Sequence, residues 1–108
     1  MNFRVLSLPK FDRQAKRLIK KFPSLKAEIL NLVHSLIQNP AQGTKIARDC
    51  YKIRISISSK GKGKSGGARI ITHVLIKDHS VYLLLIYDKS EQSGVSDSEI
   101  EELLQEIP

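Results

Sequence analysis

Seven consecutive residues, Val81-Tyr82-Leu83-Leu84-Leu85-Ile86-Tyr87, are apolar or aromatic without alternation. A surface strand alternates and an amphipathic helix shows a single stripe, so a short run apolar on both sides reads as a strand in the middle of a sheet. In a chain of 108 residues that strand sets the plan, because one core is what such a length supports. A single domain spanning residues 1–108 follows.

The remaining elements are read relative to that strand. Residues 2–7 alternate loosely and predict a first strand. Phe11, Ala15, Leu18, Ile19 and Phe22 form one helical stripe, opposite Arg13, Lys16, Arg17, Lys20 and Lys21, until Pro23 ends the helix. Leu25, Ile29, Leu32, Val33, Leu36 and Ile37 give a second stripe, stopped at Asn39-Pro40, with Gly43 turning the chain. So short a link makes a helical hairpin that must bury its apolar side on a sheet. Tyr51, Ile53, Ile55 and Ile57 alternate with Lys52, Arg54 and Ser56 in a strand over 51–57. Residues 69–76 predict the next strand, and residues 77–80 a hairpin loop. Ser96-Asp97-Ser98-Glu99 is a capping box before Ile100, Leu103, Leu104 and Ile107. The expected order is β-α-α-β-β-β-α, an α+β domain with an antiparallel sheet.

Charge is unevenly placed. All 18 Lys and Arg and five of the 11 acids lie in residues 1–89 (net +13), while residues 90–108 hold the other six acids and no cation (net −6). So basic a body calls for a polyanionic or acidic partner. The acidic tail is either a docked helix or a competitor lying across the basic face. With one cysteine, Cys50, no internal disulfide forms, and the absence of an apolar run near ~20 residues excludes a transmembrane helix. The N-terminus has no signal-peptide pattern, so a cytoplasmic location is expected.

Ser59-Lys60-Gly61-Lys62-Gly63-Lys64-Ser65-Gly66-Gly67 concentrates the chemistry. Glycines admit backbone close to a ligand and leave N–H groups to meet phosphate. Lys60, Lys62 and Lys64 add point charges, Arg69 a planar fork suited to bidentate phosphate contact, and Lys52 and Arg54 extend the patch if they share its face. The other reading is a solvated surface loop. Gly63-Lys64-Ser65 is not the end of a nucleotide-binding P-loop, which needs glycine where Ser58 stands and a helix where a strand begins.

Residues 60–71, Lys-Gly-Lys-Gly-Lys-Ser-Gly-Gly-Ala-Arg-Ile-Ile, followed by an apolar strand ending Ile86-Tyr87-Asp88-Lys89-Ser90, resemble the RelE/ParE superfamily of bacterial toxins, and most of all its HigB-like branch. The early strand, the Phe11 to Leu18 helix, the Asn39-Pro40 to Gly43 break and the helix after Ser96-Asp97 extend the resemblance over nearly the whole chain. It implies a RelE-like domain acting as the toxin of a type II toxin–antitoxin pair. RelE-like members are ribosome-dependent endoribonucleases that cut messenger RNA without metal, the ribose 2′-OH attacking the adjacent phosphate. Carried onto this chain, Arg69 stabilises the transition state, and Lys62 or Lys64 serves as base if neighbouring cations depress its pKa. Lys89 supplies a second cation or the acid, and Tyr87 stacks on a base or donates a proton, unless it is a core residue. Lys52, Arg54, Lys60, Gly66 and Gly67 are expected to hold RNA phosphate. The implied partners are a cognate antitoxin, the ribosome and messenger RNA, with no cofactor.

Two alternatives stand beside this one: a non-catalytic, ParE-like inhibitor of DNA gyrase, and a plain RNA-binding domain. His73 lies on the alternation of Arg69 and is the one histidine considered for acid–base work. His34, His79 and Cys50 show no metal-ligand spacing, so no metal is expected. The basic face of the first helix reads either as solvated surface or as a contact for RNA or an acidic antitoxin segment.

Overall fold

The fold was obtained as a computed structural model, which describes residues 2–60 and 66–108. It is α+β, as expected: strand β1 (Arg4–Ser7), helices α1 (Pro9–Lys21) and α2 (Leu25–Gln38), strands β2 (Thr44–Ala47), β3 (Cys50–Ile55), β4 (Ala68–Leu75) and β5 (Ser80–Asp88), and helix α3 (Asp97–Leu104). The sheet has five strands in the order β1-β5-β4-β3-β2. All of β5 is buried, flanked by β1 and β4, which is why its sequence carries no solvent face.

Two features go beyond the expected order. The sheet is mixed, because β1 lies parallel to β5 with Arg4 opposite Ser80 and Ser7 opposite Leu83. It also has an extra edge strand, β2, whose four residues are all exposed and so carry no apolar alternation to announce it. Arg48 and Asp49, with φ of 46° and 60°, turn β2 into β3; positive φ at both central residues is the signature of a type I′ hairpin turn, usually made by Asn-Gly. β2 pairs with β3 only as far as Thr44 opposite Lys52.

The sheet separates two apolar layers. On one face α1 contributes Phe11, Ala15 and Leu18, and α2 contributes Leu25, Ile29, Leu32 and Leu36, against Ile53, Ile55, Ile70, Val74, Val81, Leu83 and Ile86. The other face gathers Cys50, Ile71, Tyr82, Leu84, Leu85 and Tyr87 under Ile100 and Leu103 of α3. A bulge makes this division possible: Ile71 pairs with Leu85 but Thr72 with Leu83, so Leu84 is the extra residue and joins Leu85 on the α3 side. The N-cap half of the capping box is present, the Ser96 hydroxyl accepting from the Glu99 N–H at 3.1 Å, while the Glu99 carboxylate pairs with Lys10. Lys10 to Glu99 and Arg48 to Glu101 tie α3 to α1 and to the β2–β3 turn. The acidic tail is thus a docked helix on the sheet.

Candidate active site

Strand register brings three of the expected residues into one row. Arg54 of β3 is opposite Arg69 of β4, and Arg69 is opposite Tyr87 of β5. Directly paired residues project to the same face, here the α3 side, since Tyr87 belongs to that layer. The adjacent row on that face is Lys52, Ile71 and Leu85. The row is graded in depth: Arg54 is exposed, whereas Arg69 is 2% and Tyr87 3% exposed. An Nη of Arg69 donates to the Ala68 carbonyl at 3.1 Å. Burial pushes the Tyr87 phenol above its ordinary pKa, with the Arg69 charge pulling it back in part. The phenol therefore stays protonated at neutral pH, and its ring belongs to the core layer under α3.

The glycines at the start of β4 serve close approach. A Cβ on Gly67 would fall 2.1 Å from the Ile55 carbonyl oxygen, so only glycine lets this backbone reach β3. The Gly67 carbonyl accepts from the Lys89 N–H at 3.1 Å, which fixes Lys89, itself exposed, at the same end of the sheet as Arg69. Gly66 is half-buried beside it. Lys62 and Lys64 lie outside the described residues.

Lys60 is elsewhere. Its ammonium donates to Asp88 Oδ1 at 2.8 Å and Ser90 Oγ at 3.0 Å, and lies 5.3 Å from the Phe22 ring centre. Asp88 pairs with Ala68 and alternates with Tyr87, so this ion pair is on the helical face, opposite the Arg54–Arg69–Tyr87 row. Lys60, expected to hold phosphate, is thus placed in an ion pair, its side chain 10% exposed and that of Asp88 1%. Removing one partner of a buried pair costs about 3–5 kcal/mol. Burial raises the Asp88 pKa, but hydrogen bonds from Lys60 and Ser90 outweigh it and hold the carboxyl below its ordinary range.

Sequence reasoning gave Asp88 no role, although an acid closing a strand two residues before a serine is a turn signal. It also passed over Glu28, whose carboxylate accepts from Ser56, from the Ser58 N–H and from the Ser58 hydroxyl (2.9 Å), fastening the segment after β3 to α2. His73 packs against Cys50, with Nδ1 3.5 Å from Sγ. Burial lowers the His73 pKa and raises that of Cys50 to about 11, so both are neutral at physiological pH and form no thiolate–imidazolium pair.

Two cavities flank β3. One of about 240 Å³ lies on the α3 face between Lys52, Tyr87, Val95, Asp97 and Ile100. One of about 590 Å³ lies between α2 and the outer edge of β3, reached by Lys52 and Arg54 but by none of Arg69, Tyr87 and Lys89. Among the described residues no cluster of His, Cys, Asp and Glu is arranged to hold a metal.

A mixed five-stranded sheet with a helical hairpin on one face and a short helix on the other is the fold of solved RelE toxins, and this chain has that fold. A free E. coli RelE toxin carrying two arginine-to-alanine substitutions superposes with a TM-score of 0.65 at 13% identity, each chain covered completely. Isolated E. coli RelE gives 0.61 at 14% identity, covering 95% of this chain and 97% of that one. The double mutant bound to a peptide of antitoxin RelB gives 0.59 at 15% identity, again over 100% of both chains. No protein-family model matches the sequence.

Proposed function

We propose that this chain is the toxin of a type II toxin–antitoxin pair and that it is an endoribonuclease acting on messenger RNA presented by the ribosome. The observation that carries the reading is the Arg54–Arg69–Tyr87 row, with Lys89 fastened beside it, on a sheet of the RelE fold. In the proposed reaction a base takes the proton of a ribose 2′-OH, the O2′–P bond forms, and the P–O5′ bond breaks. A proton then passes to O5′, leaving a 2′,3′-cyclic phosphate and a 5′-hydroxyl. Arg54 and Lys52 bind the incoming backbone, Arg69 stabilises the charge of the phosphorane-like state, and Lys89 adds a second cation. Tyr87, a protonated phenol beside Arg69, is suited to protonating the leaving oxygen. Lys62 or Lys64 is the proposed base. The partner is a cognate antitoxin, in line with solved RelE structures that contain antitoxin RelB. The proposed compartment is the cytoplasm, where messages and ribosomes are.

Primer extension on messages after induction of the chain alone tests this. Cuts in phase with the reading frame are expected, and they should fall about 10²–10³-fold in Arg69→Ala, the usual cost of removing one transition-state donor. Unphased or absent cleavage with growth arrest intact would overturn the ribosome-dependent nuclease reading. The burial of both Arg69 and Tyr87 favours a second reading, an RNA-binding domain without chemistry. In that case Arg69→Ala leaves cellular messages unchanged and alters only RNA affinity.

A further inference from the structure

Asp88 is the one buried carboxylate among the described residues, and it sits in a region of the chain with a large excess of positive charge. It closes β5 between Tyr87 and Lys89. Its Oδ1 accepts from the Lys60 ammonium (2.8 Å), the Ser90 N–H (3.0 Å) and the Ser90 hydroxyl (2.8 Å). Its main-chain carbonyl accepts from the Glu91 N–H at 2.9 Å and the Gln92 N–H at 3.2 Å. One residue therefore folds the whole turn that follows β5, by side chain and main chain together. Lys89 stands inside that turn, its own N–H held by Gly67.

The other partner is fixed as firmly. Lys60 ends a tight helical turn (Ser58–Lys60) that Glu28 and Ser24 fasten to α2 through Ser58 and Ser59. The Lys60–Asp88 contact thus joins a segment anchored on the helical hairpin to the turn carrying Lys89. A hydrophobic pair of the same volume would hold the layers together as well. What the ion pair adds is direction: a single oxygen shared by an ammonium and the Ser90 N–H sets the turn in one orientation.

We propose that Lys60 and Asp88 are positioning residues, an ion pair on the helical face of the sheet that fixes the turn presenting Lys89 at the Arg69 end of the opposite face. The proposal rests on the reading of Arg69 and Lys89 as the cations of an RNA-cleaving site. Neither Lys60 nor Asp88 touches substrate in it.

Amide hydrogen exchange on the folded protein and steady-state cleavage of messenger RNA on programmed ribosomes test it together, in Lys60→Met, Asp88→Asn and Lys60→Arg. In Lys60→Met and Asp88→Asn, exchange at the Lys89 and Ser90 N–H groups should accelerate at least tenfold while the amides of α1 and α2 stay protected. Cleavage should lose at least tenfold in kcat with KM unchanged, and Lys60→Arg, which keeps the charge, should restore both. If Lys60 binds phosphate instead, Lys60→Met raises KM and leaves exchange at Lys89 unaltered, and the proposal is overturned. A variant that unfolds is replaced in the comparison by the other, since each removes the ion pair from a different side. Should the unaltered protein cleave no message on the ribosome, the nuclease reading fails, yet accelerated exchange confined to Lys89 and Ser90 still establishes the pair as the anchor of the turn.

Discussion

Arg54 and Arg69 are direct cross-strand partners, two permanent cations on one face of the sheet, the first exposed and the second buried. Like charges placed directly opposite destabilise a sheet, by about the 0.2–1 kcal/mol that a favourable pair contributes. Arg54→Ala should therefore raise the urea midpoint slightly while weakening RNA binding. It should also reduce the salt dependence of that binding by about 0.7 in exponent for a single strand. Equilibrium unfolding and binding titrations at several ionic strengths check both halves.

Gly67→Ala probes the close approach of β4 to β3. The new Cβ meets a backbone carbonyl, which cannot rotate away, so the strands must part. A loss of about 1–3 kcal/mol is expected, the range for overpacking a filled site. The N–H of Lys89 loses protection at the same time, because its acceptor is the Gly67 carbonyl. Thermal unfolding and amide exchange measure the two effects.

His73 makes stability depend on pH in a definite direction. Burial lowers its pKa, against a smaller opposing pull from Asp49 and from a backbone hydrogen bond of Arg48. The unfolded chain, with the ordinary value of 6.5, takes up the proton first. Stability is thus full above 6.5 and lost as pH falls from there towards the folded value. Urea midpoints measured between about pH 7.5 and about pH 5 should fall, and by less in His73→Asn. A flat profile in the unaltered protein contradicts the assignment.

Thr72 carries a hydroxyl buried on the helical face with no hydrogen-bond partner among the described residues. Valine keeps its shape and removes the stranded polar atom. Thr72→Val should stabilise the fold by about 1 kcal/mol, the low end of the cost of an unsatisfied buried group. A calorimetric midpoint that falls instead would mean the hydroxyl is satisfied in solution.

The strands and helices with strong periodicity were legible: β3 by its alternation, β5 by its two apolar sides, α1 and α2 by their stripes, α3 by its cap. The short exposed β2 was not, because Thr44 to Ala47 buries nothing and owes its conformation to pairing with β3. The parallel placement of β1 also escaped, since direction within a sheet is a matter of long-range partners. At the site, whether Arg54 shares the face of Arg69 was left open by the sequence, because it depends on the β3–β4 register that pairs them. The ion pair of Lys60 had no signal either, because Lys60 ends a tight helical turn, where alternation does not say which way a side chain points. The depth of Arg69 was invisible for a related reason: an arginine in a strand reads as exposed unless its neighbours on the same face are known.

The pairing of β1 with β5 imposes an order on synthesis. Residues 4–7 leave the ribosome first, yet the partners that hold them, Ser80 to Leu83, are made more than seventy residues later. Tyr87 and Lys89 come later still, so a truncated product ending before them carries the basic strand β3 and Arg69 without the residues that complete the row. Premature termination therefore yields a basic fragment in which Arg54 and Arg69 lack Tyr87 beside them.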